Sequence, residues 1–102
     1  MESGEQPIWE TRDPSGRRVV LLPSDWSYVS RKPDRGLTEA ILLDVIRAPD
    51  IERPDPDPRC RRYYKRHVGP STWLRVVVRY EHGEGRVYNA FPNRKLPMRD
   101  RT

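Results

Sequence analysis

The chain is poor in the residues that build cross-linked, metal-bound or membrane-spanning structures. Cys60 is the single cysteine, so an intramolecular disulfide is impossible and a cysteine-based zinc site would lack ligands. With two histidines and no H-E-x-x-H motif, a catalytic metal site is not expected. No stretch approaches the ~18 consecutive apolar residues that span a bilayer, and the polar, acidic Met1–Glu5 segment is unlike a signal peptide. We therefore expect a cytoplasmic protein that uses no cofactor, no metal and no membrane.

Apolar residues are also few. They make up 34% of the chain, the same share as the charged residues, and eleven prolines divide the sequence into short elements. The apolar residues are nevertheless clustered, and a chain of 102 residues has the usual size of one domain with a modest core. We expect a single domain over residues 1–102, with loose termini at about 1–7 and 97–102.

The charges that are present are unevenly distributed along the chain. Residues 59–102 contain twelve Lys/Arg and three Asp/Glu, a formal charge of +9, whereas residues 1–58 contain eight and twelve, a formal charge of −4. Such an asymmetry is typical of a protein that binds a polyanion. We take RNA as the expected partner.

The first half of the sequence predicts a hairpin and two helices. Two apolar segments flank the turn-forming Asp13-Pro14-Ser15-Gly16, and Pro23-Ser24-Asp25 then offers a helix N-cap before a short helix that Pro33 must end. Apolar residues recur at three- and four-residue spacing from Leu37 to Arg47, which predicts a second helix. A short strand at 51–53 and an exposed Asp-Pro loop at 54–58 are expected to follow.

The second half predicts three strands, Arg59–Val68, Thr72–Glu81 and Arg86–Pro92. In the middle strand the residues Leu74, Val76, Val78 and Tyr80 alternate with Trp73, Arg75, Val77 and Arg79, so one face should pack on the helices and the other should present arginines. The fold class is α+β, with one or two N-terminal helices packed on a twisted antiparallel sheet of about four strands, opened by a β-hairpin. Trp9, Trp26 and Trp73 are expected to pack in or beside the core.

The segment Cys60–His67 is rich in both cations and tyrosines. Alternation places Arg61, Tyr63, Lys65 and His67 on one face and Arg62, Tyr64 and Arg66 on the other. Arginine and lysine neutralise phosphates and tyrosine rings stack on unpaired bases, which favours single-stranded RNA; the alternative is an edge strand that its charges protect from aggregation. The residues predicted to bind nucleic acid are Arg61, Arg62, Tyr63, Arg66, Arg79, Tyr88, Asn93, Arg94 and Lys32.

The same segment also offers groups for cleaving RNA without a metal. That reaction needs a base for the 2′-hydroxyl, cations for the phosphorane and an acid for the leaving oxygen. The candidates are His67, Tyr64, Arg75 and Lys65, with His82 a weaker one; a solvated surface His67 is the alternative. The chain contains no phosphate-binding Gly-rich loop and no G-x-S-x-G motif.

The order of elements, from the Trp26 helix through Arg62-Tyr63-Tyr64 and Leu74–Tyr80 to Gly85–Pro92, resembles small toxin domains associated with phages and mobile elements. These belong to the barnase–EndoU–colicin–RelE-like superfamily. The resemblance extends from about Arg17 to Leu96, and it implies helices packed on an antiparallel sheet and a metal-independent ribonuclease activity. It also implies that a small acidic antitoxin or immunity protein could be a partner.

The chain departs from this family pattern at three positions. Tyr28 and Lys32 lie where relatives often carry histidines, and Asn93 follows Ala90-Phe91-Pro92 where a hydroxyl residue is common. Two hypotheses follow. Either Tyr28, Lys32 or His67 replaces the missing base, as RelE-like enzymes rely on cations and tyrosine, or the domain binds nucleic acid without cutting it. A third hypothesis is a protein-interaction domain whose basic surface docks an acidic partner.

Overall fold

The computed structural model describes residues 5–31, 36–69 and 71–96. This part of the chain folds into two helices and one six-stranded sheet, with strand order β1-β2-β6-β5-β4-β3. The β2–β6 pair is parallel and the other neighbours are antiparallel. The elements are β1 (Trp9–Arg12), β2 (Arg18–Leu21), α1 (Pro23–Val29), α2 (Glu39–Arg47), β3 (Ile51–Pro54), β4 (Cys60–Arg66), β5 (Trp73–Glu81) and β6 (Glu84–Asn93).

The α+β class and the opening hairpin are confirmed, but the predicted sheet was wrong in detail. The observed sheet has six strands rather than about four, and it is mixed rather than antiparallel. Both helices lie between β2 and β3 rather than at the N-terminus. Alternation identifies strands but not their neighbours. The hairpin joins the sheet through β6, and the long connection from β2 to β6 permits their parallel pairing.

One face of the sheet, here called the helix face, packs against α2 and α1. Leu74, Val76 and Val78 of β5 contribute to this face, as the alternation predicted, and all three are fully buried. They form one cluster with residues of both helices, which is the core that a chain of this size needs. The helical members of the core cluster are Val29, Leu42, Val45 and Ile46.

The helices begin through different devices. α2 starts after Thr38, whose Oγ1 accepts a hydrogen bond from the Ile41 N–H, so it begins at Glu39 rather than at the predicted Leu37. α1 begins with Pro23 in its first turn, and no side chain caps it; the predicted cap at Ser24 or Asp25 was wrong. Instead, the Ser24 N–H and hydroxyl both donate to the Glu5 carboxylate.

The other face of the sheet, here called the open face, is covered by no helix of the described residues. Paired positions on it come from β4, β5 and β6, and we name its two ends after β5. At the Trp73 end β5 begins, while β4 and β6 finish; at the Tyr80 end the reverse holds, and the turn at residues 13–17 lies there too. Neither described helix has the length and apolar character needed to cross a bilayer.

Candidate nucleic-acid interface

Strand register brings cationic, aromatic and amide side chains together at the Trp73 end of the open face. Arg66 of β4 pairs with Trp73 of β5, which pairs with Asn93 of β6. In the next open-face row, Arg75 lies between its register partners, Tyr64 on β4 and Phe91 on β6. Because directly opposed residues on one face of a sheet are neighbours, these side chains form a continuous patch. We call it the Trp73 patch; its members are Tyr64, Arg66, Trp73, Arg75, Phe91 and Asn93.

Guanidinium groups lie over the aromatic rings of this patch. The Arg66 guanidinium is 4.9 Å from the centroid of the Trp73 ring, and the Arg75 guanidinium is 4.8 Å from that of Phe91. No carboxylate of the described residues forms an ion pair with Arg66 or Arg75. A cation over a ring at a partly exposed site contributes about 0.5–1 kcal/mol, so both arginines are held weakly.

The patch also contains buried polar atoms that have no hydrogen-bond partner among the described residues. They are Tyr64 Oη, Arg75 Nε and Asn93 Oδ1, and a fourth such atom, Arg79 Nε, lies further along the same face of β5. Tyr64 is 0% exposed, and its hydroxyl lies beside Arg62 without forming a well-aligned hydrogen bond. A buried polar group without a partner is costly, and such groups are rare in folded proteins. All four atoms lie on the open face of the sheet.

The Tyr80 end of the open face differs, because its arginines are paired. Arg62 donates to Asp55, Arg86 donates twice to Asp25, and Arg79 lies 3.4 Å from Glu81. Burial alone would lower the pKa of Arg62, but the hydrogen bond to Asp55 and the nearby Tyr64 hydroxyl raise it. Arg18 of β2 bridges two carboxylates, those of Glu10 and Glu84. Little positive charge therefore remains available at this end.

The helix face at the Tyr80 end is organised around a buried carboxylate. Asp13 is 4% exposed and accepts hydrogen bonds from the Tyr80 hydroxyl at 2.7 Å and the Tyr63 hydroxyl at 3.3 Å. Ser15 and Arg17 donate to it as well, and the Arg17 guanidinium lies 3.9 Å from the Tyr80 ring centroid. Burial alone would raise the pKa of Asp13, but these hydrogen bonds and the Arg17 charge lower it to about 2.

The pKa values of Tyr63 and Tyr80 are raised, whereas that of Asp13 is lowered. Burial raises the pKa of Tyr63 to about 12, and burial together with hydrogen bonds to Tyr63 and Asp13 raises the pKa of Tyr80. Both hydroxyls therefore stay protonated near neutral pH. They lie 2.6 Å from each other and share a hydrogen bond within the network that ends on the carboxylate. This network fastens the β1–β2 turn to the central strands and offers no group for acid–base chemistry.

The four predicted catalytic residues do not converge. Tyr64 and Arg75 are register partners on the open face, but Lys65 lies on the helix face, where its Nζ donates to the Ala48 carbonyl at the end of α2. His67 follows β4 instead of continuing its helix-face series, because the strand ends at Arg66 and His67 adopts a positive φ of 61°. His82 lies in the turn between β5 and β6 at the Tyr80 end.

The predicted nucleic-acid-binding residues divide between the two faces. Arg62, Arg66, Arg79 and Asn93 lie on the open face as alternation requires, whereas Arg61 and Tyr63 lie on the helix face. Arg61 pairs with Glu52, and Tyr63 is fully buried on the helix face with its hydroxyl in the Asp13 network. Tyr64, on the open face, is fully buried as well, so neither tyrosine exposes a ring to a ligand. Tyr88 is 49% exposed and Arg94, just after β6, is exposed. Lys32 lies outside the described residues.

Sequence reasoning missed Trp73 and Phe91 as parts of the interface. Trp9 and Trp26 pack against the core cluster as expected, but Trp73, also buried, lies on the open face under Arg66. The signal was present in the alternation, since Trp73 shares its face with Arg75 and Arg79. Apolar neighbours in the sequence suggested core packing instead.

Two further features of the described residues bear on the site. A pocket of about 510 Å³ opens at the Tyr80 end, where Arg79 and Arg86 face Glu81, Glu84 and Asp25; this mixed charge does not favour a polyanion. No group of three or more His, Cys, Asp or Glu residues in the described ranges is placed to hold a metal ion. Comparisons with protein-family models, curated proteins and solved structures return no match to the chain.

Proposed function

We propose that the protein binds single-stranded RNA on the open face of its sheet, at the Trp73 patch. The observation that carries this proposal is that Arg66 and Arg75 rest on aromatic rings instead of pairing with carboxylates. Cations that neutralise phosphates and rings that can meet bases are the two components of single-strand binding sites. The exposed Arg94 and Lys95, which follow β6 at the same end, extend the positive surface.

Cleavage of the RNA is less well supported than binding. His67 and Lys65 are separated from Tyr64 and Arg75 by the end of a strand and by the sheet itself. We therefore propose binding without cutting, and membership of the barnase–EndoU–colicin–RelE-like superfamily remains a prediction. Incubation of the purified protein with total RNA in EDTA tests this point: the RNA should stay intact, whereas defined metal-independent fragments would establish a nuclease.

Binding is tested by fluorescence anisotropy with a labelled single-stranded RNA 12-mer over a salt series. Affinity should fall as salt rises, with a logarithmic slope of about −1.4 to −2 if two to three phosphates are neutralised. The Arg66→Gln/Arg75→Gln variant should weaken binding by about tenfold or more. The matched control, Arg18→Gln/Arg86→Gln, removes the same charge from paired positions at the Tyr80 end and should have a smaller effect.

Three outcomes would contradict the proposal in different ways. Absence of binding by the wild-type protein at low salt would exclude RNA as the ligand. Equal losses in the two double variants would show that overall charge, not the Trp73 patch, determines affinity. Equal affinity for poly-glutamate of the same charge would favour an acidic protein partner, such as an antitoxin or immunity protein.

A further inference from the structure

Trp73 and Phe91 lie on the open face, which no helix of the described residues covers. Trp73 is 8% exposed although the described helices pack on the opposite face of the sheet. The Arg66 guanidinium lies over it, and the Arg75 guanidinium lies over Phe91. An aromatic ring under a guanidinium is a stacking surface that is already occupied, because a base and a guanidinium both stack through planar faces.

We infer that Trp73 and Phe91 are base-stacking platforms, and that unpaired bases replace the guanidinium groups of Arg66 and Arg75 when RNA binds. This rests on the proposed function and names what is recognised: the bases of a single strand, in addition to its phosphates. The displaced guanidinium groups turn to the flanking phosphates. No ion pair with the described residues holds either arginine in place, so within the described part of the chain the exchange breaks ring contacts rather than ion pairs.

The register of the strands requires the bases to be unstacked from one another. Phe91 opposes Arg75, so Trp73 is its diagonal neighbour on the adjacent strand, at a spacing of about 7–8 Å. That spacing is roughly twice the 3.4 Å rise between stacked bases in a duplex strand. A duplex cannot present successive bases to both rings, whereas a single strand can splay them.

Asn93 adds a hydrogen-bonding group beside the platforms. It is the register partner of Trp73, and its Oδ1 is buried without a partner. A side-chain amide can hydrogen-bond the exposed edge of a base held on the neighbouring ring. The Trp73 patch therefore contains stacking, charge and edge contacts in one place.

The test compares three unlabelled ligands of equal charge: single-stranded oligoadenylate, a duplex RNA and inorganic polyphosphate. We expect oligoadenylate to bind about tenfold more tightly than the other two, since stacking of one base on an aromatic ring corresponds to about a 5- to 150-fold change in affinity. Oligoadenylate alone should quench tryptophan emission, and the quenching should disappear in Trp73→Phe.

Phe91→Leu keeps an apolar side chain at the second platform and should reduce the preference for oligoadenylate over polyphosphate to about twofold. Arg31→Gln is the matched control for Arg66→Gln/Arg75→Gln. The Arg31 guanidinium lies 5.2 Å from the centroid of the Tyr28 ring, but near α1 and away from the Trp73 patch. Its removal should leave the preference for oligoadenylate over polyphosphate unchanged. Unchanged circular dichroism would confirm that the variants are folded.

The outcomes separate this inference from the proposed function. If oligoadenylate and polyphosphate bind equally and tryptophan emission does not change, the polyanion site stands and the stacking platforms are wrong. Tight binding of the duplex would likewise contradict the splayed-base geometry. If none of the ligands binds, the proposed function itself fails.

Discussion

The two ends of the sheet differ in what their arginines contact. At the Tyr80 end, carboxylates form ion pairs with Arg62, Arg79 and Arg86. Asp13 accepts hydrogen bonds from two tyrosines at the same end. At the Trp73 end, Arg66 and Arg75 rest on rings while polar atoms stay unsatisfied. Most charged side chains of the first end are paired within the protein, whereas no carboxylate of the described residues forms an ion pair with Arg66 or Arg75 at the second.

This difference could not be seen in the charge of the two halves of the chain. Arg61, Arg62 and Arg86 belong to the basic half, yet they pair with Glu52, Asp55 and Asp25 of the acidic half. Folding therefore cancels much of the asymmetry between residues 1–58 and 59–102. What remains is concentrated at the Trp73 end, where no carboxylate of the described residues forms an ion pair with Arg66 or Arg75, and this reduces the predicted cationic surface to that end.

The largest expected effect comes from breaking the Tyr80 end at its buried carboxylate. The pKa of Asp13 falls from an ordinary 3.8 to about 2, a difference that corresponds to about 2.5 kcal/mol of stability. Because the folded-state pKa is depressed, this contribution is complete above about pH 5 and is lost as the pH falls towards 2. Urea denaturation of Asp13→Asn should show a deficit of this size at pH 7.

The deficit of Asp13→Asn should shrink at pH 3, where the wild-type carboxylate begins to be protonated. RNA affinity at pH 7 should stay within about twofold of the wild type, because Asp13 makes no contact with the Trp73 patch. This is a small change on a scale where about 1.4 kcal/mol corresponds to tenfold in affinity. A deficit that is the same at both pH values would mean that packing, not the ionised carboxylate, stabilises the turn.

Gly85 tests how closely the Tyr80 end is packed. A Cβ at this position would lie 2.7 Å from both a Tyr80 ring carbon and a Val78 methyl carbon. We expect Gly85→Ala to lower the free energy of unfolding by about 1–3 kcal/mol, because overpacking displaces the ring that reaches Asp13. Thermal denaturation measures the effect; a loss below about 0.5 kcal/mol would show that Tyr80 adjusts without strain.

Lys65 tests whether the two faces of β4 have separate roles. Its ammonium donates to Ala48 at the C-terminus of α2, where a cation also interacts favourably with the helix dipole. Lys65→Met should cost about 1 kcal/mol of stability and leave RNA affinity unchanged. A loss of affinity similar to that of Arg75→Gln would instead place Lys65 in the interface.

The smallest expected effect sharpens the comparison by converting a paired arginine into an available one. Asp55→Asn removes the charge that holds Arg62, so RNA should bind about threefold more tightly at low salt, with a salt dependence steeper by up to about 0.7. Glu52→Gln is the matched control, because it releases Arg61 on the helix face and should not change affinity. An equal gain in both variants would show that net charge alone acts.

Alternation predicted the faces of β4 and β5 well, because a sheet with one buried face imposes a period of two. Leu74, Val76 and Val78 are buried on the helix face, and Arg75 is on the open face, as the sequence required. The end of β4 was not predictable in this way, since His67 is placed by a backbone turn with positive φ. The sequence therefore predicted which face these strand residues occupy, but not where β4 ends.

Pairings between distant residues were beyond the reach of local patterns. Tyr80 and Tyr63 donate hydrogen bonds to Asp13, and Lys65 donates one to the Ala48 carbonyl. These bonds depend on which elements lie side by side in the fold. Trp73 illustrates the same limit, because a buried tryptophan is compatible with a core or with a covered platform. The open-face neighbours of Trp73, with the Arg66 guanidinium over its ring, distinguish these two environments.

The position of β6 in the sheet affects the order in which the strands can pair during folding. The β1–β2 hairpin meets the rest of the sheet only through β6, which also pairs with β5 along its whole length. A growing chain that has not yet produced Glu84–Asn93 therefore has no strand through which its first hairpin can join the sheet, although β1 can already contact α2. Contacts between residues so far apart in sequence form slowly, and until they form, the apolar edge of β5 is left open to pairing with other chains.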